Sequence, residues 1–176
     1  LDGCSLKVKD VRVRETTRRP LPPFITSTLQ QAASSVFSFS PNRTMGLAQK
    51  LYEGVDLGSG GPVGLITYMR TDSVNVARDA QAAARAFITE SYGDPYYPET
   101  PNFFKSRASA QEAHEAIRPT DVSRTPESLK GVLDAPSLKL YDLIWKRFVA
   151  SQMAAAKIAQ KRSEERRVGK ECATLC

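Results

Sequence analysis

Gly64-Leu-Ile-Thr-Tyr-Met-Arg-Thr-Asp-Ser73 is the segment on which the reading of this chain turns. Val63 to Met69 is a short apolar run of strand character, preceded by the loop Gly58-Ser-Gly-Gly-Pro62. In extended backbone alternate side chains share a face, so Tyr68 and Arg70 project together. They stand just ahead of a helix expected from Val74 to about Tyr92, capped by Asp72 or Ser73 and stopped by Gly93. That combination suits phosphate: guanidinium presents a planar fork of donors, and the free amides of a helix start favour an anion. A tyrosine oxygen beside such a phosphate can attack phosphorus and displace a sugar hydroxyl, conserving the bond as a phosphotyrosine ester. Phenol is a weak nucleophile at neutral pH and needs positive charge, a base or a metal nearby; Arg70 supplies the first. The competing reading makes Tyr68, one of six tyrosines, a core residue with its hydroxyl bonded internally.

Upstream, Leu6 to Arg14 alternates apolar and charged residues with period two, the pattern of a half-exposed strand. Arg18-Arg19-Pro20-Leu21-Pro22-Pro23 is a helix-incompatible linker, which sets a boundary near Phe24. Ser27 with Gln30 predicts a capping box for a helix from Leu29 to about Val36. Ser40-Pro41 predicts the start of a second helix through Tyr52, stopped by Gly54. Two helices so tightly joined form a helix-turn-helix pattern, which is also an everyday helical hairpin. Downstream, Pro95 to Phe104 reads as an aromatic, proline-rich loop. Later helices are signalled by Ser109 with Glu112, ending at Pro119, by Thr125-Pro126, and by Ser137 to Met153 with Leu140, Tyr141, Ile144, Phe148 and Val149 on one stripe.

The 176 residues, 41% hydrophobic and 25% charged, suit one globular domain with room for part of a second. No apolar run is long enough for a membrane span, and Leu1 to Cys4 carries neither an initiator Met nor a signal-peptide core, so a soluble chain cut at its N-terminus is expected. A net charge of +6 favours a polyanionic partner without establishing one. Three cysteines, at 4, 172 and 176, make no disulfide framework and no zinc spacing, which favours a reducing, intracellular compartment. From Arg162 the residues turn to dense mixed charge and resemble a translated sequencing adapter; they are read as a non-native tail.

With these residues on the page, the chain resembles the bacterial type IA DNA topoisomerases, in the topoisomerase I rather than the topoisomerase III branch. Gly64 to Ser73 carries the likeness, with Pro22-Pro-Phe-Ile-Thr-Ser-Thr-Leu-Gln-Gln31, Thr44-Met45, Leu51-Tyr-Glu-Gly54, Ala110 to Pro119, Leu143-Ile-Trp and Phe148 to Met153 in support. The resemblance implies a mainly α domain with short β elements, its helix-turn-helix of the CAP-like kind. Expected boundaries are a hinge-strand stub and linker at 1–23, the helical tyrosine domain at 24–153, a return stub at 154–161, and the tail at 162–176. It further implies that Tyr68 forms a 5′-phosphotyrosine, that Arg70 holds the scissile phosphate, and that His114, the single histidine, binds phosphate as a cation or moves a proton. Arg70 and His114 would also bind DNA.

Further implications concern the whole protein: single-strand cleavage, strand passage and religation that relax negative supercoils without ATP, on single-stranded or supercoiled DNA, in the bacterial cytoplasm at the nucleoid. The Mg²⁺ of the family belongs to a Toprim-type acidic domain; no Asp-x-Asp pair stands for it here, and no metal ligand is expected in this chain. Its partner would be the rest of its own polypeptide, and the chain alone is expected to be inactive and to bind single strands weakly. Asp72 is expected only to cap, while Arg118, Lys105 and Arg107 are either backbone contacts or a solvated face. Two alternatives remain: a non-catalytic helix-turn-helix DNA-binding module with Tyr68 in its core, and a tyrosine recombinase, whose His-x-x-Arg spacing is not matched by His114 and Arg118.

Overall fold

The computed structural model describes residues 5–58, 60–105 and 114–168. In chain order run β1 (Ser5–Arg18), α1 (Thr26–Phe37), α2 (Pro41–Glu53), β2 (Val55–Asp56), β3 (Pro62–Val63), α3 (Arg78–Tyr92), α4 (Ala135–Gln152) and β4 (Ala156–Val168), with short 3-10 turns at Asp94–Tyr96 and Pro126–Leu129. The expectation of a mainly helical chain with small β elements holds. The chain divides into two compact units, Pro20–Ala154 and the paired ends Leu1–Arg19 with Ala155–Cys176.

In the unit of the ends, β1 and β4 form an antiparallel ribbon running from Arg18 opposite Ala156 to Ser5 opposite Val168, with an irregularity between Val8 and Asp10. Two strands cannot cover a face of their own, and Val8, Val11 and Val13 are more than half exposed. The pairing runs past Arg162 to Val168, which bears on where those residues lie and not on their origin. Cys4, Cys172 and Cys176 lie outside the described residues.

The larger unit is built around α4. Its buried face, Leu140, Tyr141, Ile144, Trp145, Phe148 and Val149, packs into one cluster with Leu29 and Ala33 of α1, Ala48 and Leu51 of α2, and Ala84 and Ile88 of α3. The two polar rings in that face find backbone acceptors: the Tyr141 hydroxyl donates to Arg124 O at 2.7 Å and Trp145 Nε1 to Val122 O at 2.9 Å. Burial, followed by the nearby Asp121 charge, holds the Tyr141 phenol neutral far above its usual range. No described helix is long and apolar enough to cross a membrane.

Several boundaries follow local signals. Ser40 caps α2 through the Arg43 amide, Pro41 is its first residue and Gly54 ends it. Gly93, at φ 96°, ends α3 with its N–H on Thr89 O. Thr125 caps the single turn Pro126–Leu129.

Others depart from expectation, some because a different neighbour caps the helix and some because a distant partner outweighs the local signal. α1 opens at Thr26, with Ser27 left exposed; Thr28, not Gln30, makes the reciprocal bonds, its hydroxyl accepting from Ile25 N at 3.0 Å and donating to Ile25 O at 3.1 Å. α3 begins at Arg78, four residues after Val74, because Asn75 O accepts from Ala116 N and Ala77 N donates to Glu115 Oε1, both at 2.8 Å. The helix expected to end at Pro119 is not one over residues 114–119, an extended strap that bridges Phe24 at Ile117 and Ile66 at Pro119; Ser109 and Glu112 lie outside the described residues. The Val63 to Met69 strand is regular only at Pro62–Val63, followed by the single bridge at Ile66. α4 is capped by Asp134 rather than entered at Ser137, whose amide donates to Asp134 Oδ1 at 2.8 Å.

Asp134 also pairs with Lys50 of α2, and Lys50 first, then the Ser137 amide, holds its carboxyl at about 2 against an ordinary 3.8. The carboxylate is 46% exposed, so water screens the ion pair and the cap supplies most of the benefit. Asp134→Ala is expected to cost about 1 kcal/mol at neutral pH, read as a lowered urea midpoint. Because the folded-state value is depressed, that contribution is complete above the ordinary 3.8 and disappears as pH falls toward about 2.

Candidate functional site

The segment from Gly64 to Ser73 has almost no ladder bonding, yet it is held along its length. At its start Leu65 N donates to Leu51 O at 2.7 Å, and a Cβ on Gly64 would stand 2.7 Å from Tyr52 O, so glycine permits the close approach to the end of α2. Thr67 comes next. Its hydroxyl donates to Ala116 O at 2.7 Å and accepts from Arg118 N at 3.0 Å, while its amide donates to Arg118 O at 2.9 Å. Beyond Tyr68, the Thr26 hydroxyl lies 2.8 Å from Met69 O and 3.0 Å from Thr71 O and accepts from Thr71 N at 2.9 Å. Thr26 N adds a bond to Thr71 O at 3.0 Å.

These clamps impose the alternation that a sheet would otherwise enforce. Leu65, Ile66, Met69, Thr71 and Ser73 are buried, while Tyr68, Arg70 and Asp72 point outward. The shared face expected for Tyr68 and Arg70 is present, and Tyr68 is 47% exposed rather than a core residue. Among the described residues no carboxylate forms an ion pair with Arg70.

Tyr68 lines an open cleft of about 290 Å³ together with Tyr52, Thr67, Thr71, His114 and Glu115. The strap that bonds to Thr67 carries His114, half-buried, into the same cleft. Arg70 is not among the lining residues; it stands two positions beyond Tyr68 on the outward side. Asp72 is exposed and does not cap α3. The expected amides at Val74 are not a helix start, and at the observed start of α3 the Ala77 amide is taken by Glu115.

Glu115, Tyr52, Thr67 and Thr26 were not singled out from the sequence. Glu115 Oε2 pairs with Arg118 Nη2 at 2.7 Å while Oε1 holds the Ala77 amide, so one carboxylate ties the strap to the entry of α3. Arg118 accordingly is not a solvated cation: its side chain is 13% exposed and its Nη1 donates to Pro119 O. Lys105 is exposed and Arg107 lies outside the described residues. Among the described residues no three His, Cys, Asp or Glu side chains gather to hold a metal.

The arrangement resembles known proteins over most of its length. A family sequence model described as DNA topoisomerase matches residues 1–174. The DNA topoisomerase 1 of Rickettsia felis is 53% identical over 154 residues, 87% of this chain and 20% of that protein. That of Xylella fastidiosa strain Temecula1 is 53% identical over 152 residues, 86% of this chain and 19% of that protein. Among solved structures, full-length topoisomerase I from Thermotoga maritima superposes with a TM-score of 0.76 at 44% identity, covering 92% of this chain and 25% of that one. The chain thus spans about a fifth of the length of the curated relatives it matches.

The contact at Gly64 yields a direct test of how the segment is held. Gly64→Ala forces a methyl against the Tyr52 carbonyl, a backbone atom that cannot swing aside. A loss of about 1–3 kcal/mol is expected by urea denaturation, with faster amide exchange at Leu65 and Thr67 than in the unaltered chain.

Proposed function

The chain belongs to the DNA topoisomerase family, on its bacterial topoisomerase I branch, and on that premise we propose that Tyr68 is the nucleophile of reversible single-strand DNA cleavage. The reading is supported above all by the outward-facing Tyr68 on a segment clamped on both sides, with His114 in the same cleft. Tyr68 Oη attacks the phosphorus of one strand, the bond from phosphorus to the 3′ oxygen of the neighbouring sugar breaks, and the 5′ phosphate remains esterified to the ring. The phenol proton leaves to a base and the departing 3′ oxygen takes one up; His114 either carries that proton between them or contacts the phosphate as a cation, in which case water accepts the one proton and supplies the other. Arg70, without an internal carboxylate partner among the described residues, is set to reach the phosphate's non-bridging oxygens and offset their developing charge. Rigid placement matters because a misplaced nucleophile loses much of the advantage of proximity.

Religation reverses these bonds: the 3′ hydroxyl attacks the phosphotyrosine and frees the tyrosine. One phosphodiester is exchanged for another, so ATP is not required. Magnesium is implied by the family, but the described residues do not fit it. Glu115, the carboxylate of the cleft, is already committed to Ala77 and Arg118, and no three-ligand group accompanies it. We assign the metal to a Toprim-type acidic domain outside these residues, and no step above passes through it. The partners on this reading are single-stranded or negatively supercoiled DNA and the remainder of the same polypeptide, at the bacterial nucleoid. Strand passage and supercoil relaxation then belong to the whole protein, in which residues 1–23 and 154–161 are stubs of the hinge with its linker, Phe24 to Met153 is the tyrosine domain, and residues 162–176, which continue β4 as far as Val168, are a non-native tail.

The test is the Tyr68→Phe variant, assayed with the metal-binding part of a relative supplied in trans. Loss of the covalent DNA adduct on denaturing gels, with single-strand binding retained, is the expected outcome. An adduct formed at the unaltered rate would contradict the assignment.

A further inference from the structure

The clamps fix the backbone on either side of Tyr68 but not its ring. Among the described residues the Tyr68 hydroxyl makes no hydrogen bond, and a ring 47% exposed retains rotamer freedom that must be lost before an in-line attack. Its aromatic neighbour is Tyr52, with centroids 5.4 Å apart and planes at 64°, an edge-to-face pair. Tyr52 belongs to the last turn of α2, which is anchored by buried Ala48 and Leu51 and ended by Gly54. Its carbonyl packs on Gly64, the start of the segment that carries Tyr68. The ring therefore projects from a rigid helix that touches the nucleophile's own segment four residues upstream. It is itself 41% exposed and lines the same cleft.

Resting on the reading of Tyr68 as nucleophile, we propose that Tyr52 is a positioning residue: its edge-to-face contact selects the rotamer in which the Tyr68 oxygen faces the cleft. The contact acts on the attacking group and not on the affinity for DNA.

Two measurements test this. In the chain by itself, Tyr52→Leu should remove the ring-current shift from the Tyr68 ring protons in NMR spectra while distant amides keep their positions; unmoved Tyr68 resonances would overturn the proposal. With the metal-binding part in trans and a saturating single-stranded oligonucleotide, Tyr52→Leu should slow adduct formation about two- to tenfold, the loss of one aromatic pair contact. The oligonucleotide dissociation constant should stay unchanged, and Tyr52→Phe, which keeps the ring, should restore the rate. A defect confined to affinity, with the saturated rate preserved, would mean that Tyr52 touches a base instead and would overturn the proposal, as would equal rates for Tyr52→Leu and the unaltered chain. Tyr68→Phe run alongside separates the two readings. An adduct that survives it defeats the nucleophile assignment, whereas its loss beside an unaffected Tyr52→Leu rate defeats the role of Tyr52 alone.

Discussion

Two threonine hydroxyls determine what this structure can do. Thr26, at the first turn of α1, holds the backbone at Met69 and Thr71; Thr67 is locked to Ala116 and Arg118 of the strap. An extended segment with one bridge and no ladder would ordinarily leave its backbone groups to water. Here side-chain oxygens stand in for the missing strand, and the cost of leaving such bonds unmade is what keeps the segment in one conformation. With the backbone held, Met69 and Thr71 turn inward while Tyr68 and Arg70, which alternate with them, turn outward. The exposure of Tyr68 and Arg70 is thus a product of the clamps, and so is the entry of His114 into the cleft, since its strap is the other half of the Thr67 bonds.

The strap illustrates how one short stretch can serve several elements. Within Glu115–Pro119 it bonds the entry of α3 through Glu115, Phe24 through Ile117, and the segment carrying Tyr68 through Ala116 and Arg118. Arg118 is withdrawn from solvent and paired with Glu115, leaving Arg70 as the outward guanidinium beside Tyr68. The division suits the proposed chemistry: an internal ion pair stabilises the scaffold, and a cation without a carboxylate partner among the described residues faces the incoming phosphate.

What could be read in advance was whatever depends on neighbours in sequence. The Ser40-Pro41 start of α2, the Gly93 stop of α3 and the α4 stripe from Leu140 to Val149 follow from caps and periodicity within a few residues. The common face of Tyr68 and Arg70 was legible from the period of two, although the force that maintains it was not. The start of α3 was misread because Asp72 and Ser73 are good caps locally, while Ala77 finds Glu115, 38 residues away. The strap was misread for the same reason: alanines and glutamates favour a helix, and the backbone bonds to Phe24 and Thr67 outweigh that preference. Thr26, Thr67 and Tyr52 carry no distinguishing local pattern, so their part in the site is visible only in three dimensions.

The cleft holds two half-exposed tyrosines, and the proposed chemistry requires the ester to form on Tyr68 and not on Tyr52. Cleavage at Lys50 and Arg70 by trypsin places both on one peptide, Leu51–Arg70. A reaction with single-stranded DNA and the metal-binding part of a relative in trans, stopped with denaturant and digested with nuclease, can be followed by fragmentation mass spectrometry of that peptide. A 5′-nucleotide mass on Tyr68 is the predicted result; the same mass on Tyr52, or on a tyrosine of another peptide, would contradict it.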